Sequence, residues 1–179
     1  VDPYGNNPLA ALVMFKTDEA TKVSVEVQTP ADKSGDYDEE STFGFDFDEY
    51  TTEHFIPVYA LYAGDNIVKM TVTDKSGNST TYDVAITTTV PADYNITANT
   101  MTLDKGNKNI MNGVTFVSYV FPNTGKIVAY DFNGNLRVIF PHSGMGKILD
   151  LKNGHIAYED GNRLHGGYYM TGFYEADMM

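Results

Sequence analysis

An apolar run broken by a proline, followed by two alternating segments around a five-residue turn, leaves this chain little room for anything but β-structure. Phe55-Ile56-Pro57-Val58-Tyr59-Ala60-Leu61 fits an edge strand or a strand entry, because proline has no N–H to give to a central ladder. Ala63-Gly64-Asp65-Asn66 reads as a turn. Over 67–73 the period is two: Ile67, Lys69, Thr71 and Thr73 fall on one face, and Val68, Met70 and Val72 on the other. Asp74-Lys75-Ser76-Gly77-Asn78 supplies residues that tolerate positive φ. Residues 80–86 then return as the partner strand. A hairpin with one apolar side needs a second layer to cover that side, so the expectation is a β-sandwich.

The rest of the first half agrees with that grammar. Residues 29–40 read as a loop containing glycine and aspartate. Aromatic residues make up 13% of the chain, with 13 Tyr and no Trp, and helical patterning is nearly absent, which suits strands. At 179 residues there is enough chain to bury a core in one large or two small domains. A formal net charge of −12 provides no electrostatic footprint for a phosphate backbone, so nucleic acid is not expected as a partner. The absence of cysteine rules out disulfides and thiolate metal sites. No apolar stretch approaches the roughly 20 residues that span a bilayer, so no membrane span is expected. The opening Val1-Asp2-Pro3-Tyr4-Gly5, with no initiator methionine and no signal peptide, reads as the start of a processed or trimmed product.

Pro91-Ala92-Asp93-Tyr94-Asn95 breaks the first strand set, and a different rhythm follows. Short strands at 112–121, 126–131, 136–140, 147–151 and 155–158 alternate with Asn123-Thr124-Gly125, Phe132-Asn133-Gly134-Asn135 and Lys152-Asn153-Gly154. Strand, Asx-Gly turn, strand is the rhythm of an up-and-down propeller blade. At roughly 40 to 50 residues per blade, the segment holds about one to two blades, short of the four to eight a propeller closes with. The expected fold class is therefore all-β, an Ig/fibronectin-like sandwich over 1–91 followed by an incomplete β-propeller segment over 92–179.

The run Thr51-Thr52-Glu53-His54-Phe55-Ile56-Pro57-Val58-Tyr59-Ala60-Leu61-Tyr62-Ala63-Gly64, with its following strand, Asp74-Lys75-Ser76-Gly77-Asn78 turn and second strand, resembles the amino-terminal domain of bacterial aryl-sulfate sulfotransferases. The resemblance covers the first half of the chain, and it makes residues 7–19 and 20–27 the domain's two opening strands. It implies that this is the amino-terminal fragment of a secreted or periplasmic enzyme, truncated where the family's propeller continues. Such enzymes move a sulfuryl group from an aryl sulfate donor to a phenol acceptor through a transiently sulfated histidine, with no nucleotide sulfate donor and no cofactor. A neutral imidazole serves as nucleophile, and cationic or hydrogen-bonding neighbours hold the sulfuryl oxygens. The family's nucleophile and its partner histidines and arginine belong to later blades, so the resemblance assigns no catalytic residue here and the fragment is expected to be inactive.

The chain has four histidines. His54 lies inside the sandwich motif beside Glu53 and reads as structural. His142, in Pro141-His142-Ser143-Gly144, and His155, after Asn153-Gly154, fall at blade loops. His165, in Arg163-Leu164-His165-Gly166-Gly167-Tyr168-Tyr169, has the setting best suited to an anion, since an arginine stands two residues away and the glycines allow close approach. There is no G-x-S-x-G, no H-E-x-x-H and no phosphate-cradling glycine loop.

Asp131-Phe132-Asn133-Gly134-Asn135 lacks the closing glutamate of a calcium loop and reads as a hairpin turn. The carboxylates of Asp36, Asp38, Glu39 and Glu40, with Asp46, Asp48 and Glu49, read as a solvated loop leading into a strand with Phe43, Phe45 and Phe47 on one face. No metal site is expected. Tyr168, Tyr169, Phe173 and Tyr174 suit packing better than stacking on a phenol or sugar. A non-catalytic cell-surface binding or interaction module stays open as the alternative. The unclosed strand edges of the second half point to self-association or a homodimer.

Overall fold

The structure is a computed structural model of the chain. It describes residues 1–5, 7–33, 43–92, 114–119, 126–131, 133–140, 144–151, 155–160 and 173–177. Among the described residues no helix is long and apolar enough to cross a membrane, and the fold is all-β.

Four strands build the first half: β1 (Ala11–Val27), β2 (Phe43–Val58), β3 (Gly64–Asp74) and β4 (Ser79–Thr88). They form one antiparallel sheet in the order β2-β1-β3-β4. The two opening strands expected from the sequence are a single one. No glycine or proline separates them, so the ladder runs on, and the irregularity is absorbed by register shifts between Lys16 and Thr21 and between Thr21 and Val23. Extra residues in one strand bend it and increase its twist. Before the bend β1 pairs with β2 alone, whereas residues 21–27 pair with β2 on one side and β3 on the other. Val13 and Phe15, from before the bend, line one groove with Met70, Val72 and Val84. The bent ribbon therefore folds across β3 and β4 and supplies the second layer of the sandwich.

The core between the layers holds Val23, Val25, Val27, Ile56, Val58, Val68, Met70 and Ile86, with Leu61 and Tyr62 from the β2–β3 connection. Each such aliphatic side chain contributes about 1.5–3 kcal/mol when buried. Phe43, Phe45 and Phe47 pack against this core, as the alternation predicts, while Gly44, Asp46 and Asp48 between them are exposed. β2 is an edge strand, where Pro57 is tolerated.

The β2–β3 connection starts earlier than expected. β3 already begins at Gly64, and residues 59–63 make the turn, with Ala60 in the left-handed region at φ +53°. One buried side chain closes this loop. Asn66 Oδ1 accepts the Tyr62 N–H at 2.8 Å, and its Nδ2 donates to the carbonyls of Tyr62, Gly64 and Ile86 at 2.9, 3.0 and 3.2 Å.

In the second half, β5 (Thr115–Tyr119), β6 (Lys126–Tyr130) and β7 (Leu136–Phe140) form one three-stranded sheet in the order β5-β6-β7. β8 (Gly144–Leu151), β9 (His155–Asp160) and β10 (Phe173–Asp177) form another, ordered β10-β9-β8. Both are up-and-down antiparallel meanders.

The two Asp-x-x-Gly-Asn turns are built alike. Asp74 Oδ1 accepts the N–H groups of Ser76 and Asn78, and Asp131 Oδ1 those of Asn133 and Asn135. In each, the glycine N–H donates back to the aspartate carbonyl. Gly77 and Gly134 sit at φ +89° and +80°, the left-handed position that closes a three-residue hairpin loop. The hairpin-turn reading of 131–135 is what the structure shows.

Candidate functional site

Two buried polar constellations stand out among the described residues, one at the bend of the sandwich and one where the sandwich meets the second half. Neither has the geometry of a catalytic centre.

The first surrounds His54, which β2 places at the register break in β1. Its Nε2 lies 3.0 Å from Thr21 Oγ1 and 3.3 Å from Thr17 Oγ1. Thr17 in turn donates to the Glu19 carbonyl at 2.7 Å. The ring stacks on Phe15 with centroids 4.5 Å apart and planes 16° from parallel. Only 3% of the residue is exposed. Burial lowers its pKa below the ordinary histidine value, opposed by a hydrogen bond to the Thr51 backbone. The ring is a neutral rivet holding the bulged strand to its neighbour, the structural role its sequence setting suggests.

The second centres on Arg137 of β7. A strand reading Leu136-Arg137-Val138-Ile139-Phe140 carries one charge in an apolar run, and that charge is wholly buried. Its Nη1 donates to Asp131 Oδ2 at 2.9 Å. Nε and Nη2 both donate to the Ala60 carbonyl, at 2.8 and 2.5 Å. The guanidinium carbon lies 3.6 Å from the Tyr62 ring centroid and 4.6 Å from that of Phe43. Cation–π contacts of this kind strengthen when desolvated. Burial pulls the arginine pKa down, and Tyr62 and Asp131 oppose it. Burial likewise pushes the Tyr62 phenol above its ordinary range, opposed by its bond to Thr29 and by the arginine.

The loop that receives this arginine is held from several sides. Leu61 N–H donates to the Leu9 carbonyl, Thr88 Oγ1 donates to the Tyr62 carbonyl at 2.6 Å, and Asn66 holds both backbone groups of Tyr62. Across the same junction Asn135 Nδ2 donates to the Lys33 carbonyl at 3.0 Å. The left-handed turn at Ala60 thus presents its carbonyl to the second half. Because the guanidinium is buried and neutralised by Asp131, it is not an anion site; it joins the two halves.

Sequence reasoning did not single out Arg137. The available signal was a lone arginine in an apolar strand, six residues after the aspartate of an Asp-Gly-Asn type turn, the pattern of a buried charge with its partner across a hairpin. Of the other histidines, His155 is the first residue of β9, and His142 and His165 lie outside the described residues, as do Arg163, Tyr168, Tyr169 and the acidic stretch 36–40. Among the described residues no three His, Asp or Glu side chains converge on a common point.

A bent four-stranded Ig-like sandwich docked through a buried arginine onto a meander sheet defines the class: a multi-part all-β protein. Residues 1–89 match the family described as the arylsulfotransferase Ig-like domain. The first half of the chain is a member of that domain family, as the resemblance implied. No curated protein matches the chain.

Proposed function

We propose that the chain is the amino-terminal part of an extracytoplasmic aryl-sulfate sulfotransferase, with 1–91 as a non-catalytic support and 92–179 as the entry into a propeller. The match of residues 1–89 to the arylsulfotransferase Ig-like domain carries this reading. Two meanders joined by short turns, each of three described strands, suit blades of a propeller. Arg137 ties the first meander to the support, so the Ig-like half sets the position of the sheet that follows it.

In this reading a neutral histidine attacks the sulfur of an aryl sulfate and the phenolate leaves. A second phenol then takes the sulfuryl group from the sulfated imidazole, and the histidine returns to its neutral form. His54 does not serve: its ring is stacked, bonded and 3% exposed.

The test is transfer from 4-nitrophenyl sulfate to phenol, measured on this chain and on the complete product of its gene. Transfer by the complete product, unchanged in its His54→Gln variant, is the expected result. No transfer by the complete product overturns the sulfotransferase reading. Transfer abolished by His54→Gln in a folded protein overturns the support role.

A further inference from the structure

β4 is the last strand of its sheet, and among the described residues nothing pairs with its outer edge. The direction of its backbone groups follows from the turn. Asp74 N–H donates to the Asn78 carbonyl, so those two form a hydrogen-bonded pair, and such pairs alternate along an antiparallel ladder. Thr80, Tyr82, Val84 and Ile86 therefore bond to β3, while Thr81, Asp83, Ala85 and Thr87 turn N–H and C=O outward. Ile67, opposite Ala85, gives its carbonyl to Gln28 on the far side, as this alternation requires.

Natural sheets blunt such edges with lysine, proline, bulges or charge. β2, the opposite edge, carries Pro57, Asp46, Asp48, Glu49 and Glu53. β4 has no lysine and no proline, its one charge is Asp83, and its ladder runs unbroken from Gly64↔Thr88 to Thr73↔Ser79. The apolar face also runs out to this edge. Tyr82, 57% exposed, and Val84 line a groove of about 330 Å³ with Val13, Phe15, Met70 and Val72.

We propose that β4 is a self-pairing edge, onto which a second copy of this chain adds its own β4 antiparallel about a two-fold axis at Val84. In this register Val84 faces the partner's Val84, Asp83 the partner's Ala85, Tyr82 the partner's Ile86 and Thr81 the partner's Thr87. The Asp83 and Thr81 pairs join the outward N–H and C=O groups. A one-residue slip sets outward groups against inward ones and flips the apolar face. A slip that sets Asp83 against the partner's Asp83 opposes like charges. The Val84-centred register avoids both, and it supplies two aromatic–β-branched pairs and two threonine pairs, combinations that stabilise neighbouring strands. The strand is complementary to itself, which is the argument for a second copy over an unrelated segment. This contact lies in the sandwich rather than in the second half, and it stands apart from the enzymatic reading.

The chain has no cysteine, so one introduced thiol reports the register. Val84→Cys brings two thiols together at a non-hydrogen-bonded pair with Cα atoms about 4.5 Å apart, within disulfide reach. Asp83→Cys places them out of register. Oxidation is expected to give covalent dimer from Val84→Cys and monomer from Asp83→Cys. Ala85→Pro removes an outward N–H without taking a bond from β3, and is expected to sediment as monomer with an unchanged far-ultraviolet spectrum while the unmodified chain dimerises, more strongly as salt screens the net charge of −12. Equal crosslinking of both cysteine variants, no crosslinking of Val84→Cys, or a folded Ala85→Pro that still dimerises overturns the proposal. If Ala85→Pro does not fold, the two cysteine variants decide.

Discussion

Replacing Arg137 by methionine tests whether the buried pair at the junction matters to the fold. Methionine keeps an apolar stem against Tyr62 and Phe43 but removes the charge. Two losses follow. Asp131, with no side-chain exposure, is left without its cation, and breaking a buried ion pair from one side costs about 3–5 kcal/mol. The Ala60 carbonyl loses both side-chain donors, and an unsatisfied buried acceptor costs about 1–3 kcal/mol. Part of this is recovered because Asp131 keeps the N–H groups of Asn133 and Asn135, so a net loss of about 3–5 kcal/mol is expected. That is a large share of the roughly 5–15 kcal/mol by which domains are stable. With a urea slope of about 2 kcal/mol per molar, the unfolding midpoint followed by circular dichroism falls by about 2 M. Adding Asp131→Asn to Arg137→Met removes the orphaned charge, and the double variant is expected to be more stable than Arg137→Met alone. A midpoint within about 0.5 M of the parent, or losses from the two single variants that simply add, refutes the reasoning.

Burial lowers the His54 pKa, so the unfolded chain takes up a proton near pH 6.5 where the folded one does not. Its contribution to stability is complete above about pH 6.5 and is lost as pH falls through the lower folded value. Urea midpoints from pH 8 to 5 show this decline, and His54→Gln flattens that part of the curve. Asn66→Ala takes the acceptor from the Tyr62 N–H and the amide donor from the carbonyls of Tyr62, Gly64 and Ile86, of which that of Tyr62 keeps Thr88 Oγ1, and costs about 1–3 kcal/mol, read as a lowered thermal midpoint. Gly77→Ala and Gly134→Ala each cost about 1–2 kcal/mol for placing a side chain at positive φ. Beyond the adjoining residues nothing lies within 4 Å of the added Cβ at either site, so the cost is conformational and Gly77→Asn, which tolerates that conformation, costs less in the same melts.

Much of the architecture was legible. Alternation over 67–73 placed Val68 and Met70 inside, and the Asp-x-x-Gly-Asn turns were recognisable because their residues satisfy their own backbone. Residues 7–19 and 20–27 belong to one strand rather than two, because the irregularity between them is a bulge inside a ladder that continues on both sides. The turn expected at 63–66 begins near Tyr59, because Asn66 works as a side-chain brace inside β3 rather than as a turn residue. His54 was recognisable as structural, but its partners, 33 and 37 residues away in the chain, were not.

What short-range physics governs is written along the chain: strands, turns, the apolar face of the hairpin, and a first half with the signature of the arylsulfotransferase Ig-like domain. Periodicity and turn chemistry are properties of neighbouring residues, so they can be read in order along the chain. Long-range contacts alone settle that β1 bends to make both layers of one sandwich, that β4 is the last strand of the sheet among the described residues, and that Arg137 reaches the carbonyl of Ala60, 77 residues earlier. Those outcomes depend on which distant groups must be satisfied together once water is excluded. A buried guanidinium needs acceptors wherever the fold brings them, and no local pattern announces where that is.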